Sequence, residues 1–108
     1  MIGILIIAHA PLATALRDCA LHVFPDCASG VLAIDVPPHE APEDTLETAA
    51  QALDRLGTTE ALLLTDVFGA TPCNISQKLN DGVHTRLLAG VNLPMLLVSK
   101  SLSTRLNI

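Results

Sequence analysis

Four short apolar runs, separated by segments with helical spacing, constrain the fold of this chain more than any other feature. The runs occupy residues 2–8, 31–36, 61–65 and 86–89, and none of them alternates regularly between apolar and polar residues. Continuous apolar runs of this length are typical of strands that are buried on both faces. The 108 residues suffice for one core. We therefore predict a single α/β domain over residues 1–108: an open, mainly parallel four-stranded sheet, doubly wound, with helices on both faces.

A helical pattern follows each apolar run, and each predicted helix has a proline in its first turn, where proline is favoured. These prolines are Pro11, Pro42, Pro72 and Pro94. The side chain of Thr71 is predicted to cap the third helix. Cys19 falls on the apolar stripe of the first helix, so it is predicted to be a core residue.

Composition excludes several classes of function. The net charge is −5, and the six Lys and Arg residues are scattered, which argues against a nucleic-acid partner. No apolar run approaches the ~20 residues of a membrane helix, and the start of the chain lacks the features of a secretion signal. Three cysteines without a CxxC spacing indicate neither a disulfide framework nor a zinc site. We expect a cytoplasmic protein.

Two polar residues stand directly after predicted strands. His9 follows the first run and Asp66 follows the third. Right-handed crossovers bring the carboxyl ends of parallel strands to one edge of a sheet, so we expect these side chains to be neighbours. A carboxylate that accepts a hydrogen bond from one ring nitrogen fixes the tautomer and stabilises positive charge on the ring. Such an imidazole acts as a nucleophile or a base.

The segment after Asp66 narrows the chemistry. Residues 67–72 form a short loop that contains Gly69 and leads into the third helix. The first N–H groups of a helix attract anions, and a glycine lets backbone amides approach a phosphate closely. A histidine, an orienting carboxylate and an anion site at one edge favour phosphoryl transfer through phosphohistidine.

Three stretches make the chain resemble a known family. They are residues 4–9 (ILIIAH), 65–74 (TDVFGATPCN) and 89–96 (AGVNLPML). In this order they resemble the enzyme IIA component of the mannose family of the bacterial phosphoenolpyruvate-dependent sugar phosphotransferase system. Together they span nearly the whole chain, and the second and third stretches are the specific ones.

The resemblance implies a phosphotransferase that serves sugar transport. It implies that His9 is phosphorylated, that Asp66 is its hydrogen-bond partner, and that Gly69, Ala70 and Thr71 bind the phosphoryl group. The donor would be the histidine phosphocarrier protein HPr and the acceptor an enzyme IIB. Association with a membrane permease would be peripheral and only through enzyme IIB. No metal ion and no cofactor are expected.

Two features depart from the family pattern. Family members usually continue beyond the point where this sequence stops, with a helix and a strand that pairs with a partner subunit, so we expect the domain to lack that C-terminal segment. The loop has Phe68, Ala70 and Thr71 where sugar-transporting relatives tend to have tryptophan, glycine and serine. Because Thr71 keeps the hydroxyl, phosphate binding is expected to survive.

Edge strands and composition predict self-association. Half of the residues are hydrophobic and only 16% are charged. Exposed sheet edges are normally covered or paired, and a large apolar surface indicates an interface. We expect a homo-oligomer, most simply a dimer, packed through the fourth strand and residues 92–102, with the His9 edge open.

Three other functions stay open. A nucleotide- or flavin-binding module would share the sheet, but the turn at residues 8–12 has none of the glycines that a pyrophosphate requires. A regulatory domain would keep the phosphorylation site and control a partner without feeding a transporter. The phosphocarrier of dihydroxyacetone kinase shares the fold, but residues 69–72 are more similar to the mannose type.

The remaining histidines and Cys73 give weaker predictions. His22 lies near the end of the first helix, where it suits the helix dipole. His39 follows the second run and is either a turn residue or a modulator or metal ligand at the His9 edge. His84 precedes the fourth run and is predicted to face solvent. Cys73 lies in the first turn of the third helix, where cysteines can be reactive, but no histidine stands near it in the sequence.

Overall fold

A parallel sheet forms the centre of the molecule. The structure is a computed structural model that describes residues 2–67 and 70–106, with side chains described as far as residue 99. The strands of the sheet are Ile2–His9 (β1), Val31–Val36 (β2), Glu60–Thr65 (β3) and Thr85–Leu88 (β4). Their order is β2-β1-β3-β4, and every neighbouring pair is parallel. The predicted sheet is confirmed.

Helices cover both faces of this sheet. In the described residues they are Leu12–Val23 (α1), Pro42–Leu56 (α2), Thr71–Leu79 (α3) and Leu93–Leu106 (α4), and a 3-10 turn, Pro25–Cys27, follows α1. Helices α1 and α4 pack on one face, whereas α2 and α3 pack on the other. This is the predicted doubly wound arrangement. No helix among the described residues is long and apolar enough to cross a membrane.

The central strand β1 joins the two cores. Ile4 and Ile6 point toward α1 and α4, whereas Leu5 and Ile7 point toward α2 and α3, and all four are fully buried. Burial of an isoleucine or leucine side chain contributes ~1.5–3 kcal/mol. The strand that ends at His9 is therefore held from both sides. By the same alternation, His9 lies on the α2 and α3 face.

The inward face of α1 differs from the prediction. Its buried residues are Ala13, Leu16 and Ala20, and Cys19 is exposed, so the assignment of Cys19 to the core is wrong. Arg17 lies on the inward side instead: its Nε and Nη2 atoms donate hydrogen bonds to backbone carbonyl oxygens at the start of β2 and before it, at 2.6 Å and 2.7 Å. Because Arg17 is half-buried, Cys19, two residues further along the helix, falls on the outward side of α1.

The start of α3 also differs from the prediction. The helix begins at Thr71, and the residue before it, Ala70, is extended with φ −86° and ψ 171°. A capping residue lies just outside the helix. Because Thr71 is already helical, the prediction that its side chain caps α3 is wrong, and Pro72 is the second helical residue instead of the first.

Small shifts occur at two other helix starts. Pro11 immediately precedes α1 instead of opening it. Helix α4 begins at Leu93, one residue before Pro94, because Asn92 caps it: its Oδ1 atom accepts the N–H of Met95 at 2.9 Å. The boundaries of α2 agree with the prediction, and the left-handed Gly57, with φ 63°, ends that helix.

The turn between α3 and β4 lies at the opposite edge of the sheet from His9. Asp81 organises it, because its Oδ1 atom accepts the N–H groups of Val83 and His84, both at 2.8 Å. These backbone hydrogen bonds lower the pKa of Asp81 far below its ordinary value. The His84 side chain is exposed, as predicted, and its Nδ1 atom lies 3.1 Å from Oδ2 of Asp81.

Candidate active site

The carboxyl ends of β1 and β3 bring His9 and Asp66 into contact. The Nδ1 atom of His9 lies 2.7 Å from the Oδ2 atom of Asp66, and the same oxygen accepts the backbone N–H of His9 at 3.0 Å. The register explains the contact: Ile7 pairs with Thr65 across the two strands, so His9 and Asp66 leave the sheet side by side. The predicted neighbourhood of the two residues is therefore present in the structure.

The surroundings of Asp66 stabilise the charged form of its carboxyl group. Its side chain is only 9% exposed, and its Oδ1 atom accepts the N–H of Val67 at 2.8 Å. Partial burial raises the pKa of Asp66, but the hydrogen bonds from the backbone and ring of His9 and from Val67 outweigh it and hold the pKa below its ordinary value. The carboxylate is thus ionised at neutral pH and accepts hydrogen bonds only.

One ring nitrogen of His9, Nδ1, contacts Asp66, whereas the other, Nε2, has no such contact among the described residues. The His9 side chain is 53% exposed. A carboxylate beside Nδ1 selects the neutral tautomer with the proton on Nδ1, which leaves the lone pair of Nε2 free. In this arrangement Nε2 carries the free lone pair of a half-exposed side chain.

A turn after β4 fixes the backbone of Asp66. The N–H of Gly90 donates to the carbonyl oxygen of Asp66 at 2.7 Å, and the N–H of Val91 donates to that of Thr65 at 2.9 Å. Gly90 has φ 78°, in the left-handed region that favours glycine. The structural role of this stretch was not predicted from the sequence, where it contributes only to the family resemblance. The glycine followed by Val91 and a helix-capping asparagine was the available signal.

The predicted phosphate loop is described only in part. Gly69 and Phe68 lie outside the described residues. Ala70 is half-buried and its carbonyl oxygen accepts the N–H of Asn74 at 2.9 Å, which is the first hydrogen bond of α3. Thr71 is exposed, and its hydroxyl group has no hydrogen-bond partner among the described residues. Thr71 therefore presents a free hydroxyl and an N-terminal backbone N–H at the edge that carries His9.

None of the other candidate residues is hydrogen-bonded to His9 or Asp66 in the described part of the chain. His39 is exposed in the turn after β2 and forms no hydrogen bond or ion pair within the described part of the chain. Cys73 is fully buried in α3, which disfavours a catalytic thiol because a partner cannot reach it. His22 lies in the last turn of α1, as predicted.

A family model described as "PTS system fructose IIA component" matches residues 3–107. The chain belongs to this family. Membership confirms the predicted enzyme IIA of the mannose type, a component of the sugar phosphotransferase system. No curated protein sequence matched this IIA component.

Solved structures of IIA proteins share the fold. A PTS IIA protein associated with the fucose utilization operon of Streptococcus pneumoniae is 25% identical, with a TM-score of 0.81 over 92% of this chain and 76% of its own. A phosphotransferase component EIIA from Streptococcus agalactiae is also 25% identical, with a TM-score of 0.78 over 94% and 80%. The mannose/sorbose-specific IIA subunit of Enterococcus faecalis, at 21% identity and 0.78 over 91% and 74%, is similar in fold.

Proposed function

We propose that this IIA component accepts a phosphoryl group from phospho-HPr on Nε2 of His9 and passes it to an enzyme IIB, in the cytoplasm, as a step of sugar uptake. The contact between Nδ1 of His9 and Oδ2 of Asp66, 2.7 Å long, carries the proposal. It holds the ring in the tautomer that a phosphoryl acceptor needs. The half-exposed ring leaves room for each partner protein in turn.

The transfer step follows from that geometry. The lone pair of Nε2 attacks the phosphorus atom carried by HPr, a new N–P bond forms, and the N–P bond to the imidazole of HPr breaks, with its electron pair returning to that ring. The positive charge that develops on the ring of His9 is stabilised by the ionised Asp66. Transfer to enzyme IIB runs the same chemistry in the opposite sense. Since phosphoryl transfer has a loose transition state, alignment and charge stabilisation dominate the rate.

The proposed phosphate site lies at the start of α3. Gly69, Ala70 and Thr71 would hold the phosphoryl oxygens through backbone N–H groups, assisted by the hydroxyl of Thr71. The N–H of Ala70 donates to the carbonyl oxygen of Val67 at 3.3 Å in this structure, so it would exchange that acceptor for a phosphoryl oxygen. The support is the position of the helix N-terminus on the same face and edge of the sheet as His9. No metal ion is expected, because the tautomer with the proton on Nδ1 leaves a lone pair on Nε2 for the attack, and the N-terminus of α3 supplies N–H groups for the phosphoryl oxygens.

The hydroxyl of Thr71 gives a sharp prediction. We expect Thr71→Ser to keep the phosphorylation rate within about twofold, whereas Thr71→Val lowers it by about tenfold, the value of one charge-assisted hydrogen bond. Because the hydroxyl caps nothing, both variants should melt at the wild-type temperature. Single-turnover phosphorylation by phospho-HPr and thermal melts measure the two quantities. Equal rates for the serine and valine variants would remove the hydroxyl from the site.

A second prediction concerns the turn at Gly90, for which Gly82 offers a matched control. Both glycines have a positive φ, 78° and 72°, and a Cβ atom added to either meets nothing within 4 Å. Alanine should therefore cost each the same ~1 kcal/mol of backbone strain. Only Gly90→Ala disturbs the backbone of Asp66, so we expect it alone to slow phosphorylation, by about tenfold. Equal rates for the two alanine variants would contradict the role of this turn.

The most direct test of the proposed function uses the whole phosphorylation chain. The protein is incubated with phosphoenolpyruvate, enzyme I and HPr, and its mass is measured before and after brief acid treatment. We expect one acid-labile phosphoryl group per chain, which is lost again when enzyme IIB is added. A protein that gains no phosphoryl group under conditions that phosphorylate HPr would disprove the function.

Self-association is proposed from the open edge of β4. This strand pairs only with β3 in the described sheet, and Leu88 on it is 46% exposed. A dimer through β4 and residues 92–102 would cover the edge and leave His9 free for HPr and enzyme IIB. Light scattering at tens of micromolar should give about twice the 11.3 kDa mass of the chain. A single species at 11.3 kDa would refute the dimer.

A further inference from the structure

We propose that Asp35 and Thr14 form a positioning pair that holds the turn carrying His9 in the geometry for phosphoryl transfer. The inference rests on the proposed function for its kinetic consequence. Asp35 lies near the end of β2, in register with Ala8, and Val36 is in register with His9. Thr14 lies in the first turn of α1. The pair therefore joins β2, the strand beside His9, to α1, the helix that follows His9 in the chain.

The contact between Thr14 and Asp35 consists of two hydrogen bonds. The Oδ1 atom of Asp35 accepts the backbone N–H of Thr14 at 3.1 Å, and the Oδ2 atom accepts the hydroxyl of Thr14 at 2.5 Å. Both carboxylate oxygens are thus used by one residue. A charged acceptor with two donors is among the stronger polar contacts in proteins.

Helix α1 needs this contact because it has no cap of its own. The residue before it is Pro11, which provides no side-chain hydrogen bond, and its first turn has no acidic residue. A negative charge near the first turn of a helix stabilises it by interaction with the helix dipole. Asp35 provides from a neighbouring strand the carboxylate that the helix itself lacks.

A third hydrogen bond, between backbone atoms, ties the same segment to β2. The N–H of Ala10 donates to the carbonyl oxygen of Val36 at 3.1 Å. The segment from His9 to Thr14 is therefore anchored to β2 at Ala10 and at Thr14, while His9 is anchored to Asp66 on the other side. The imidazole sits between these anchors. Loss of the Asp35 contact frees the start of α1 and widens the range of positions that His9 can take.

The consequence should appear in the rate of transfer and not in partner binding. Displacement of a reacting group by about 1 Å costs up to ~10²-fold in rate. We expect Thr14→Val and Asp35→Ala to lower the single-turnover rate of phosphorylation by about tenfold, with an unchanged half-saturating concentration of phospho-HPr. Thr14→Ser keeps the hydroxyl and should stay within about twofold of wild type.

The control variant is Thr48→Val. Thr48 also lies in a helix, α2, and its hydroxyl donates one hydrogen bond, to the carbonyl oxygen of Asp44 at 3.0 Å. This change removes a helical threonine hydroxyl without touching α1 or β2. It should leave the phosphorylation rate at the wild-type value, so that a general effect of the Thr-to-Val exchange is excluded.

A spectroscopic measurement tests the positioning apart from the proposed function. The ring ¹⁵N shifts of His9 in the unphosphorylated protein report whether the proton stays on Nδ1. We expect Thr14→Val and Asp35→Ala to move these shifts toward a tautomer mixture, whereas Thr14→Ser and Thr48→Val keep them. If wild type accepts no phosphoryl group, the proposed function fails, and the ring shifts still decide the positioning.

Two outcomes would overturn the inference. One is a Thr14→Val protein with wild-type rate and wild-type ring shifts, whatever its melting temperature. The other is an equal loss of rate in Thr14→Val and Thr48→Val. If Asp35→Ala does not fold, Thr14→Val decides alone, because it retains the N–H bond to the carboxylate.

Discussion

Replacement of His9 by alanine should abolish phosphorylation by phospho-HPr. The side chain supplies the nucleophilic Nε2 atom, and no other histidine in the described part of the chain is hydrogen-bonded to a carboxylate that is as little exposed as Asp66. Because His9 is 53% exposed and lies at the end of its strand, the alanine variant should fold normally. Intact mass after incubation with phosphoenolpyruvate, enzyme I and HPr measures the yield, which we expect to fall to background.

The matched control for this prediction is His39→Ala. His39 is exposed after β2 and has no hydrogen bond or ion pair among the described residues. Its loss should leave the yield and the rate of phosphorylation unchanged. A His9→Ala protein that still gains a phosphoryl group at the wild-type yield would show that the acceptor is a different residue.

Replacement of Asp66 by asparagine should slow transfer strongly and leave the acceptor in place. Asparagine keeps the size of the side chain but removes the charge that stabilises the ring cation and fixes the proton on Nδ1. Orienting and acid–base groups of this kind contribute about 10²–10⁴-fold. We expect a loss of that order in the single-turnover rates of transfer from phospho-HPr and to enzyme IIB, with His9 still the labelled residue.

The pH dependence of stability gives Asp66 a second signature. Because the folded state lowers its pKa, Asp66 binds its proton less readily when folded than when unfolded. Its contribution to the free energy of unfolding is therefore present above its ordinary pKa and is lost as the pH falls through the lowered value. Asp66→Asn should lack this part of the acid sensitivity.

An unchanged transfer rate in both directions for Asp66→Asn would remove the carboxylate from the mechanism.

The sequence predicts the pairing of His9 with Asp66 because the prediction needs only topology. Continuous apolar runs indicate a parallel sheet, and a parallel sheet brings strand ends to one edge. Both residues stand directly after such runs. The same topology places the N-terminus of α3, which follows β3, at this edge. These features depend on periodicity and chain direction, which a single sequence displays.

The rotation of α1 and the contacts that hold the site depend on distant atoms. Arg17, two residues before the exposed Cys19, donates to carbonyl oxygens on and beside β2, and the sequence of the helix alone does not indicate these acceptors. The bond between Asp35 and Thr14 likewise joins two elements that are separate in the sequence. The turn at Gly90 contacts Asp66 through backbone atoms alone, so the glycine and the capping asparagine indicate a turn but not the residue that it contacts.

One measurement tests the central claim most directly, namely phosphoryl transfer through Nε2 of His9. The ¹⁵N-labelled protein is phosphorylated with phosphoenolpyruvate, enzyme I and HPr, and the couplings between phosphorus and the ring nitrogens of its four histidines are recorded by NMR. We expect one phosphorylated histidine, His9, with phosphorus bonded to Nε2 and the proton on Nδ1. Phosphorus on Nδ1 of His9, or on any other histidine, would contradict it.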